Sequence, residues 1–327
     1  MRAVVITRPG GPEVLEIQDM ETPEPVGEQV RVRVRASGIN RADLLQRAGG
    51  YPAPPGAPSN IPGLEFAGEV DAVGPLVWRR KPGQRVMGLA GGGAQAEYIL
   101  THEGLLVEIP QNLDFVQAAG VPEVFMTAHD ALFTQAGLQM GERVLIHAVG
   151  SGVGTAAIQL AHATGATTYG TSRTAKKLEL ARELGLDVGL STENFASEVN
   201  RLTKGEGVHV VLDFIGAPYL EHNLQALTMW GRIVFLATMG GVQANVNLGL
   251  LMGKRIMMRG VTMRTRTLEE KLLVTRRFAT SVLPLLASGK VKPIIDHVYA
   301  MEDISEAHRV MEENRNFGKL VVRCSIP

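Results

Sequence analysis

Apolar and polar residues alternate with a period of two in the first third of the chain. Val30, Val32 and Val34 are separated by arginines, a pattern that predicts a strand with one buried face. A short helix is predicted at 41–47, and the proline-rich stretch 51–62 predicts an irregular loop. Further short apolar runs, separated by glycines and prolines, lie at 66–73, 85–89, 96–100 and 105–109. Many short strands of this kind predict a partly open β barrel or a sandwich.

The pattern changes near residue 112. Asn112 or Asp114 can cap a helix that we predict over 115–135. Strands and helices then alternate, which indicates a parallel sheet covered by helices on both faces. The predicted strands are 143–149, 167–171, 208–215, 232–238 and 256–263.

The last sixty residues suggest that the chain returns to its first domain. They contain a long predicted helix at 268–287, followed by strand 296–300, helix 302–313 and strand 318–323. This final strand–helix–strand piece has no obvious place in a six-stranded doubly wound sheet. We therefore predict one domain made of residues 1–118 and 266–327, with a second domain, residues 119–265, inserted in it.

Composition narrows the class of protein. The chain has 327 residues, of which 45% are hydrophobic, and this is typical of a packed globular protein. Lysine plus arginine and aspartate plus glutamate balance at 33 each, which disfavours binding to nucleic acid or to an anionic membrane surface. Cys324 is the single cysteine, so neither an intrachain disulfide nor a cysteine zinc cluster is expected. With no signal peptide or membrane span recognised, we expect a cytoplasmic protein.

A glycine-rich turn carries the clearest chemistry. It lies between a predicted strand and a predicted helix, and it consists of Gly150, Ser151, Gly152, Val153 and Gly154. Gly152 lets the backbone approach a pyrophosphate, and Gly154 lets the helix pack close to the strand. The free N–H groups at the start of that helix then face the anion. The turn predicts a dinucleotide site.

The end of the second strand of this domain bears on which dinucleotide is bound. Folds that bind NAD usually place a carboxylate there for the ribose hydroxyls, but residues 170–177 contain none. Ser172, Arg173 and Lys176 can instead donate to a 2′-phosphate. The alternative is that the basic residues form a solvated helix face. The missing acid favours NADPH.

Several motifs in the expected order resemble the medium-chain dehydrogenase/reductase superfamily. They are 38–43, 63–70 and 148–154. Within that superfamily, 40–47, Tyr51-Pro52 and 151–160 resemble the quinone oxidoreductases related to zeta-crystallin. The resemblance extends to 316–319 and implies an α/β fold, in which a Rossmann doubly wound parallel sheet is inserted in a β-rich GroES-like catalytic domain. It also implies an active site in the cleft between the domains.

The resemblance also implies roles for individual residues. Thr127 would lie beside the nicotinamide, and Lys319 would either hydrogen-bond the cofactor or cap a surface turn. The other implied cofactor contacts are Phe214, Gly216, Met239, Gly240, Gly241 and Phe317. The resemblance also implies a homodimer that forms through the last strand of the nucleotide domain, which here is 255–263. The alternative is a monomer in which the long helix at 268–287 covers this edge.

The residues at the zinc positions of related alcohol dehydrogenases differ in this chain. Ser37 and Leu64 stand where those enzymes have cysteine and histidine, whereas a catalytic zinc normally needs three protein ligands. Glu65 remains, and we interpret it as a buried acid paired with a nearby base. We expect no metal, and so alcohol oxidation becomes unfavourable, because nothing activates the hydroxyl.

An acceptor that takes a hydride readily, such as a quinone or an activated alkene, suits a site without zinc. Asn40 and Tyr51 are our candidates for donors to the developing oxyanion. Asn40 can alternatively cap the helix at 41–47, and Tyr51 can simply pack in its loop. The second enzymatic hypothesis is an NADPH-dependent 2-enal or enoyl-thioester reductase, with Tyr51 as general acid. A hypothesis of a different class is an RNA-binding or crystallin-like structural role. The zero net charge and the lack of a clustered basic stripe disfavour RNA binding.

Overall fold

The computed structural model describes residues 1–324. They form two compact units. Unit 1 comprises residues 1–126 and 263–324, and unit 2 comprises residues 127–262. The corresponding boundaries expected from the sequence were 118/119 and 265/266.

Strands and helices alternate mainly in the middle of the chain. Within residues 1–324 the strands are β1 (Arg2–Ile6), β2 (Leu15–Asp19), β3 (Gln29–Ile39), β4 (Glu65–Val73), β5 (Arg85–Leu89), β6 (Tyr98–His102), β7 (Leu106–Glu108), β8 (Arg143–Ile146), β9 (Thr167–Ser172), β10 (Val188–Ser191), β11 (Val208–Asp213), β12 (Leu227–Phe235), β13 (Met257–Gly260), β14 (Ile295–Ala300) and β15 (Lys319–Arg323). The α-helices of the same residues are α1 (Arg41–Arg47), α2 (Phe115–Ala119), α3 (Pro122–His129), α4 (Gly152–Ala163), α5 (Ala175–Arg182), α6 (Phe195–Leu202), α7 (Leu220–Ala226), α8 (Leu248–Lys254), α9 (Leu268–Ser281), α10 (Leu283–Ala287) and α11 (Ile304–Glu312).

Unit 1 is built on a seven-stranded sheet. Its strands follow the order β14-β15-β3-β4-β5-β7, with β6 paired to β3, and β1 and β2 form a separate antiparallel pair. The alternation in β3 is confirmed, because Val30, Val32 and Val34 are fully buried. They pack in a core that includes Phe66 and, from α11, Ile304. The β-rich character of this region is therefore confirmed.

Unit 2 is a six-stranded sheet whose order is β10-β9-β8-β11-β12-β13. Every neighbouring pair in it is parallel. The α/β fold class with an open parallel sheet is confirmed. Because the carboxyl ends of parallel strands lie at one edge, the loops after β8, β9 and β11 are brought to the same side of this sheet.

Two predicted helices are interrupted, and the sequence contains the reason. The helix predicted over 115–135 is divided into α2, α3 and a π-helical turn at Asp130–Gln135. Pro122 starts α3, since proline has no N–H to continue a preceding helix. Pro284 in the first turn of α10 separates it from α9 for the same reason. No helix formed by residues 1–324 is long and apolar enough to cross a membrane.

Candidate active site

A buried carboxylate, Glu65 at the start of β4, is the centre of a polar network in unit 1. Its Oε1 accepts hydrogen bonds from Lys319 Nζ at 2.6 Å and from Asn40 Nδ2 at 3.0 Å. Its Oε2 accepts from the backbone N–H of Glu123 at 2.8 Å. The Glu65 and Lys319 side chains are 0% and 3% exposed. The interpretation of Glu65 as a buried acid paired with a base is confirmed.

Lys319 uses its whole donor capacity inside unit 1. Besides Glu65, its Nζ donates to Ile39 O and to Asn40 Oδ1, each at 2.7 Å. An ammonium group has three N–H donors, so the three acceptors satisfy it. Lys319 is thus a buried member of this network, and it requires no cofactor to complete its hydrogen bonds.

The backbone around Asn40 fixes this arrangement. Asp43 accepts from the Asn40 N–H at 2.7 Å and from the Gly63 N–H at 2.9 Å. Burial raises the pKa of Asp43 to about 6, although both N–H donors act in the opposite direction. At Gly38 a Cβ would lie 2.3 Å from Glu65 Oε1, so only glycine leaves room for the carboxylate. The Asn40 amide is therefore held in one orientation, between an ammonium donor and a carboxylate acceptor.

The same region does not fit a catalytic zinc. The Ser37 hydroxyl donates to Glu65 O at 2.8 Å, and Leu64 is a buried apolar side chain. Glu65 is already neutralised by the Lys319 ammonium. In the part of the chain that the structure describes, no three histidine, cysteine, aspartate or glutamate side chains are grouped to hold a metal ion. Three ligands are the usual minimum for catalytic zinc.

Tyr51 is held by a residue that sequence reasoning missed, Arg264. The Arg264 guanidinium donates to Tyr51 O at 2.9 Å, to Gly91 O at 2.8 Å and to Gln46 Oε1 at 2.6 Å. It also lies 5.1 Å from the centre of the Tyr51 ring. Burial raises the pKa of Tyr51, and the Arg264 charge partly offsets this. The Tyr51 hydroxyl has no hydrogen-bond partner among residues 1–324, so it is available to a bound molecule.

In unit 2 the glycine-rich turn has the geometry of an anion site. Ser151 precedes α4, and its hydroxyl accepts from the Gly154 N–H at 3.0 Å. A Cβ on residue 154 would lie 2.5 Å from Ala148 O, which explains glycine at this position. The N–H groups of the first turn of α4, which include those of Gly152 and Val153, are the donors for a pyrophosphate. The turn fits the cofactor predicted for it.

The other segments of unit 2 that the sequence predicts to contact the cofactor follow β9, β11 and β12. Ser172 is buried, while Arg173 and Lys176 extend into solvent. Gly216 and Gly241 form a backbone bridge and have positive φ angles, 82° and 148°. They line a cavity of about 250 Å³.

Three further residues implied by the resemblance lie close to these glycines. Phe214 is buried, Met239 is half exposed, and the Gly240 N–H donates to Ile215 O at 2.8 Å.

Thr127 and Phe317 complete the set that the sequence predicted. Thr127 is 9% exposed, and its buried hydroxyl has no partner among the described residues. An unsatisfied buried hydroxyl suggests a missing partner, and a nicotinamide amide fits. Phe317 is half-buried in unit 1, and its N–H donates to Asp296 Oδ1 at 3.2 Å.

A second buried network in unit 2 was not anticipated. His147 Nε2 lies 2.7 Å from Asn223 Oδ1, and Asn223 Nδ2 donates to Asp213 Oδ2 at 2.8 Å. Asp213 Oδ1 accepts from the N–H groups of Ile215 and Gly216. Burial lowers the pKa of His147. Because its Nε2 faces the acceptor oxygen Oδ1 of Asn223, Nε2 is the donor in this contact. The network orders the turn that contains Gly216, and no local sequence pattern indicates it.

Two family descriptions match the chain. The alcohol dehydrogenase GroES-like domain matches residues 27–111 in unit 1. The zinc-binding dehydrogenase description matches residues 152–280. A quinone oxidoreductase of Pseudomonas aeruginosa is 37% identical over 318 residues, which are 96% of each chain.

Solved structures give the same family. A quinone oxidoreductase of Pseudomonas syringae superposes with a TM-score of 0.88 at 32% identity, over 98% of this chain and 99% of that one. An NAD-dependent alcohol dehydrogenase superposes with a TM-score of 0.90 at 34% identity, over 99% of this chain and 100% of that one. A mycobacterial protein solved with NADPH superposes with a TM-score of 0.88 at 28% identity, over 99% of this chain and 100% of that one. The enoyl reductase CurK superposes with a TM-score of 0.87 at 28% identity, over 98% of both chains.

Proposed function

The chain belongs to the quinone oxidoreductase family of the medium-chain dehydrogenase/reductase superfamily, and we propose that it reduces quinone-type acceptors with NADPH and without a metal ion. It is an oxidoreductase with a nicotinamide cofactor, as its relatives and its dinucleotide fold indicate. The observation that carries the proposal is the Lys319–Glu65 pair. An ammonium group occupies the carboxylate that a metal would otherwise need, and this supports a reaction without Lewis-acid activation.

The residues of unit 1 supply orientation and hydrogen bonds. When bound, NADPH supplies the hydride. The Tyr51 hydroxyl is unengaged within residues 1–324 and can donate to the oxygen on which charge develops. Asn40, whose amide is held by Lys319 and Glu65, is our second candidate to contact the acceptor. In unit 2 the Thr127 hydroxyl lacks a partner and is assigned to the nicotinamide.

Preference for NADPH rests on charge at the end of β9. Arg173 and Lys176 are exposed there, and Ser172 precedes them. Two cations and a hydroxyl suit the 2′-phosphate, which a carboxylate would repel. Among the similar structures, one is an NAD-dependent alcohol dehydrogenase and another was solved with NADPH.

A second candidate is the reduction of 2-enals or enoyl thioesters. The unengaged Tyr51 hydroxyl favours it, because protonation of the carbon beside the carbonyl needs a donor. The likeness to an enoyl reductase is compatible with it. Steady-state rates with NADPH on matched panels of quinones and enals decide between the two acceptors. A kcat/KM for every quinone below that for the enals would reject the quinone proposal.

The cofactor proposal is tested with single replacements on α5 and the loop before it. Arg173→Ala and Lys176→Ala should each lower kcat/KM for NADPH by the equivalent of about 1–3 kcal/mol, the range for a charge-assisted hydrogen bond. Rates with NADH should hardly change. Arg182→Ala, an exposed arginine at the end of α5, is the matched control. Equal kcat/KM values with NADPH and NADH in the parent protein would reject the preference.

Metal independence needs its own measurement. Purified protein should contain no stoichiometric zinc, and it should keep its full quinone reductase rate after chelation. About one zinc ion per chain, with activity lost on its removal, would overturn this part of the proposal.

A further inference from the structure

Four buried polar side chains of unit 2 form one line of hydrogen bonds that the proposed function has not used. We call them the Asn223 network; they are Thr171 of β9, His147 after β8, Asn223 of α7 and Asp213 at the end of β11. Each is at most 1% exposed. Thr171 Oγ1 lies 2.9 Å from His147 Nδ1. Asn223 completes the line, with contacts of 2.7 Å to His147 and 2.8 Å to Asp213.

The hydrogen bonds of the Asn223 network all run in one direction. Asn223 Nδ2 donates to the Asp213 carboxylate, so Asn223 Oδ1 accepts from the N–H at His147 Nε2. In a neutral imidazole the other nitrogen is an acceptor, and His147 Nδ1 therefore accepts from the Thr171 hydroxyl. The line of donors ends at a carboxylate, which is a stronger acceptor than a neutral oxygen. Removal of one member leaves buried polar atoms of its neighbours unsatisfied.

Three members of the Asn223 network directly precede segments that are proposed to contact the cofactor. The segments that follow His147, Thr171 and Asp213 are 148–154, 172–176 and 214–216. They lie at the carboxyl ends of parallel strands, the edge where ligands of this fold bind. The network therefore connects the phosphate turn with the two other segments through side chains that lie beneath the surface.

The backbone of these segments adopts conformations that need support. Ala148, directly after His147, has a φ of 49°, which is costly for a residue with a side chain. The next N–H, that of Val149, donates to Thr171 O at 3.1 Å and ties the phosphate turn to β9. The Gly216 N–H donates to Asp213 Oδ1 at 3.0 Å. Strained backbone persists only where the surrounding structure determines it fully, and the Asn223 network supplies this constraint.

We infer that Asn223 is a positioning residue for the nicotinamide cofactor: by joining His147 to Asp213, it holds the phosphate turn and the turn at 214–216 in the arrangement that accepts a dinucleotide. This role rests on the cofactor contacts proposed for these segments and not on the identity of the acceptor. Asn223 is fully buried, so it acts through the backbone of the two turns. Without it, binding must also order these turns, and that cost lowers affinity.

The first test measures the Kd of NADPH and of NADH by fluorescence titration of the full-length protein. Asn223→Leu keeps the branched shape of the side chain and removes both hydrogen bonds. The Kd of both cofactors should rise by the same factor, about tenfold or more, because the two turns do not distinguish the dinucleotides. Asn200→Leu, on a half-buried asparagine of α6, is the control and should bind both as the parent does. Circular dichroism verifies that each variant is folded.

An exchange of the two partners separates positioning from general damage to packing. In Asp213→Asn, one amide N–H₂ group faces that of Asn223, and the Kd of both cofactors should rise by about tenfold or more. The rise is expected although the loss of a negative charge by itself favours an anionic cofactor. In Asp213→Asn/Asn223→Asp, a carboxylate at position 223 accepts from His147 and from the amide at position 213. Each hydrogen bond is restored, so Kd should return close to the parent value.

Amide hydrogen exchange without cofactor reports the two turns directly. The N–H groups of Ile215 and Gly216 both donate to Asp213 Oδ1, at 2.6 and 3.0 Å. In Asn223→Leu and in Asp213→Asn, segments 148–154 and 214–216 should exchange faster than in the parent. The exchanged pair should restore parent rates. Strand β3 of unit 1 is the internal control, and faster exchange there as well would show general loosening and contradict a local role.

Each remaining result also decides. A folded Asn223→Leu with the parent Kd or with parent exchange rates overturns the inference. A rise in Kd for NADPH alone overturns it too, and so does a double variant that binds as weakly as Asp213→Asn. Should Asn223→Leu fail to fold, Asp213→Asn and the double variant decide. A parent that binds neither NADPH nor NADH rejects the cofactor assignment itself, which these variants do not do.

Discussion

Lys319 Nζ lies 2.6 Å from Glu65 Oε1, and both side chains are almost completely buried. Removing one member of such a pair leaves an unpaired buried charge, which typically costs about 3–5 kcal/mol. We expect Lys319→Met to lower the free energy of unfolding by this amount, as measured by urea titration at neutral pH. Lys81→Met, on an exposed lysine of the same unit, should change it by less than about 0.5 kcal/mol.

The double variant Lys319→Met/Glu65→Gln separates pairing from packing. With both charges absent, the unpaired charge is gone and much of the lost stability should return. A double variant that is as unstable as the sum of the two single variants would contradict the ion-pair account, because the cycle would then show no coupling.

This pair also shows what the sequence could and could not predict. The absence of zinc ligands is local, since Ser37 and Leu64 are visible in their motifs. The identity of the base on Glu65 is not local, because Lys319 reaches it from the other end of the chain through the pairing of β15 with β3. Arg264 and its contact with Tyr51 are missed for the same reason. Periodicity reports which face is buried but not which distant residue meets it.

Errors in the predicted elements had local causes. Pro122 and Pro284 were visible, yet the apolar period continues across both and favoured single long helices. The alternation of β3 and the glycines of the turn at 150–154 were interpreted correctly. In these segments the local pattern and the packing agree. Glu123 had no motif at all, and only the fold brings it to Glu65.

The size of the turnover loss in Tyr51→Phe distinguishes the quinone reductase hypothesis from the enal reductase hypothesis. Tyr51→Phe removes the unengaged hydroxyl but keeps the ring beside Arg264. If Tyr51 only orients a quinone, turnover should fall by less than about tenfold. If it is the general acid for an enal, the loss should be about 10²–10⁴-fold. NADPH affinity should be nearly unchanged in either case.

Asn40→Ala provides a comparison for Tyr51→Phe. It should also lower turnover, and in addition it should destabilise the protein, because the amide is bonded to Lys319 and Glu65. Parent turnover with every acceptor in Tyr51→Phe would remove Tyr51 from the site.

His308 predicts a loss of stability in acid. It is fully buried in unit 1, and its Nδ1 lies 3.3 Å from Arg47 Nη1. Burial, with the Arg47 charge, lowers the pKa of His308 to about 3. The unfolded chain takes up this proton near pH 6.5, so the free energy of unfolding falls as pH decreases from 6.5 toward 3, by at most about 1.4 kcal/mol per pH unit.

Replacing His308 should therefore make the protein less sensitive to acid. In His308→Leu, the slope of unfolding free energy between pH 6.5 and 4.5 should be shallower than in the parent, as urea titrations at several pH values would show. His297→Leu removes an exposed imidazole from the same unit and is the comparison. Parallel pH curves for His308→Leu and the parent would contradict the assignment of a neutral buried imidazole.

The edge strand of unit 2 predicts self-association. β13 is the last strand of its sheet and pairs only with β12 among the described strands. Its side chains are exposed, including Met257 at 48% and Met258 at 39%. An open apolar edge invites uncontrolled pairing unless it is covered. Pairing with the same strand of a second copy across a two-fold axis closes it, as we expect for the segment 255–263.

We expect light scattering at micromolar concentration to report the mass of a homodimer. Val261 N–H donates to Phe235 O of the neighbouring strand at 2.9 Å, and N–H directions alternate along a strand, so the Met258 N–H faces the open edge. Met258→Pro should therefore remove a donor needed only between copies, and it should convert the dimer to monomer or aggregate. Val261→Pro breaks a bond inside the sheet and should instead lower the free energy of unfolding. A parent protein that is a stable monomer, or a Met258→Pro variant that remains a dimer, would refute pairing through this strand.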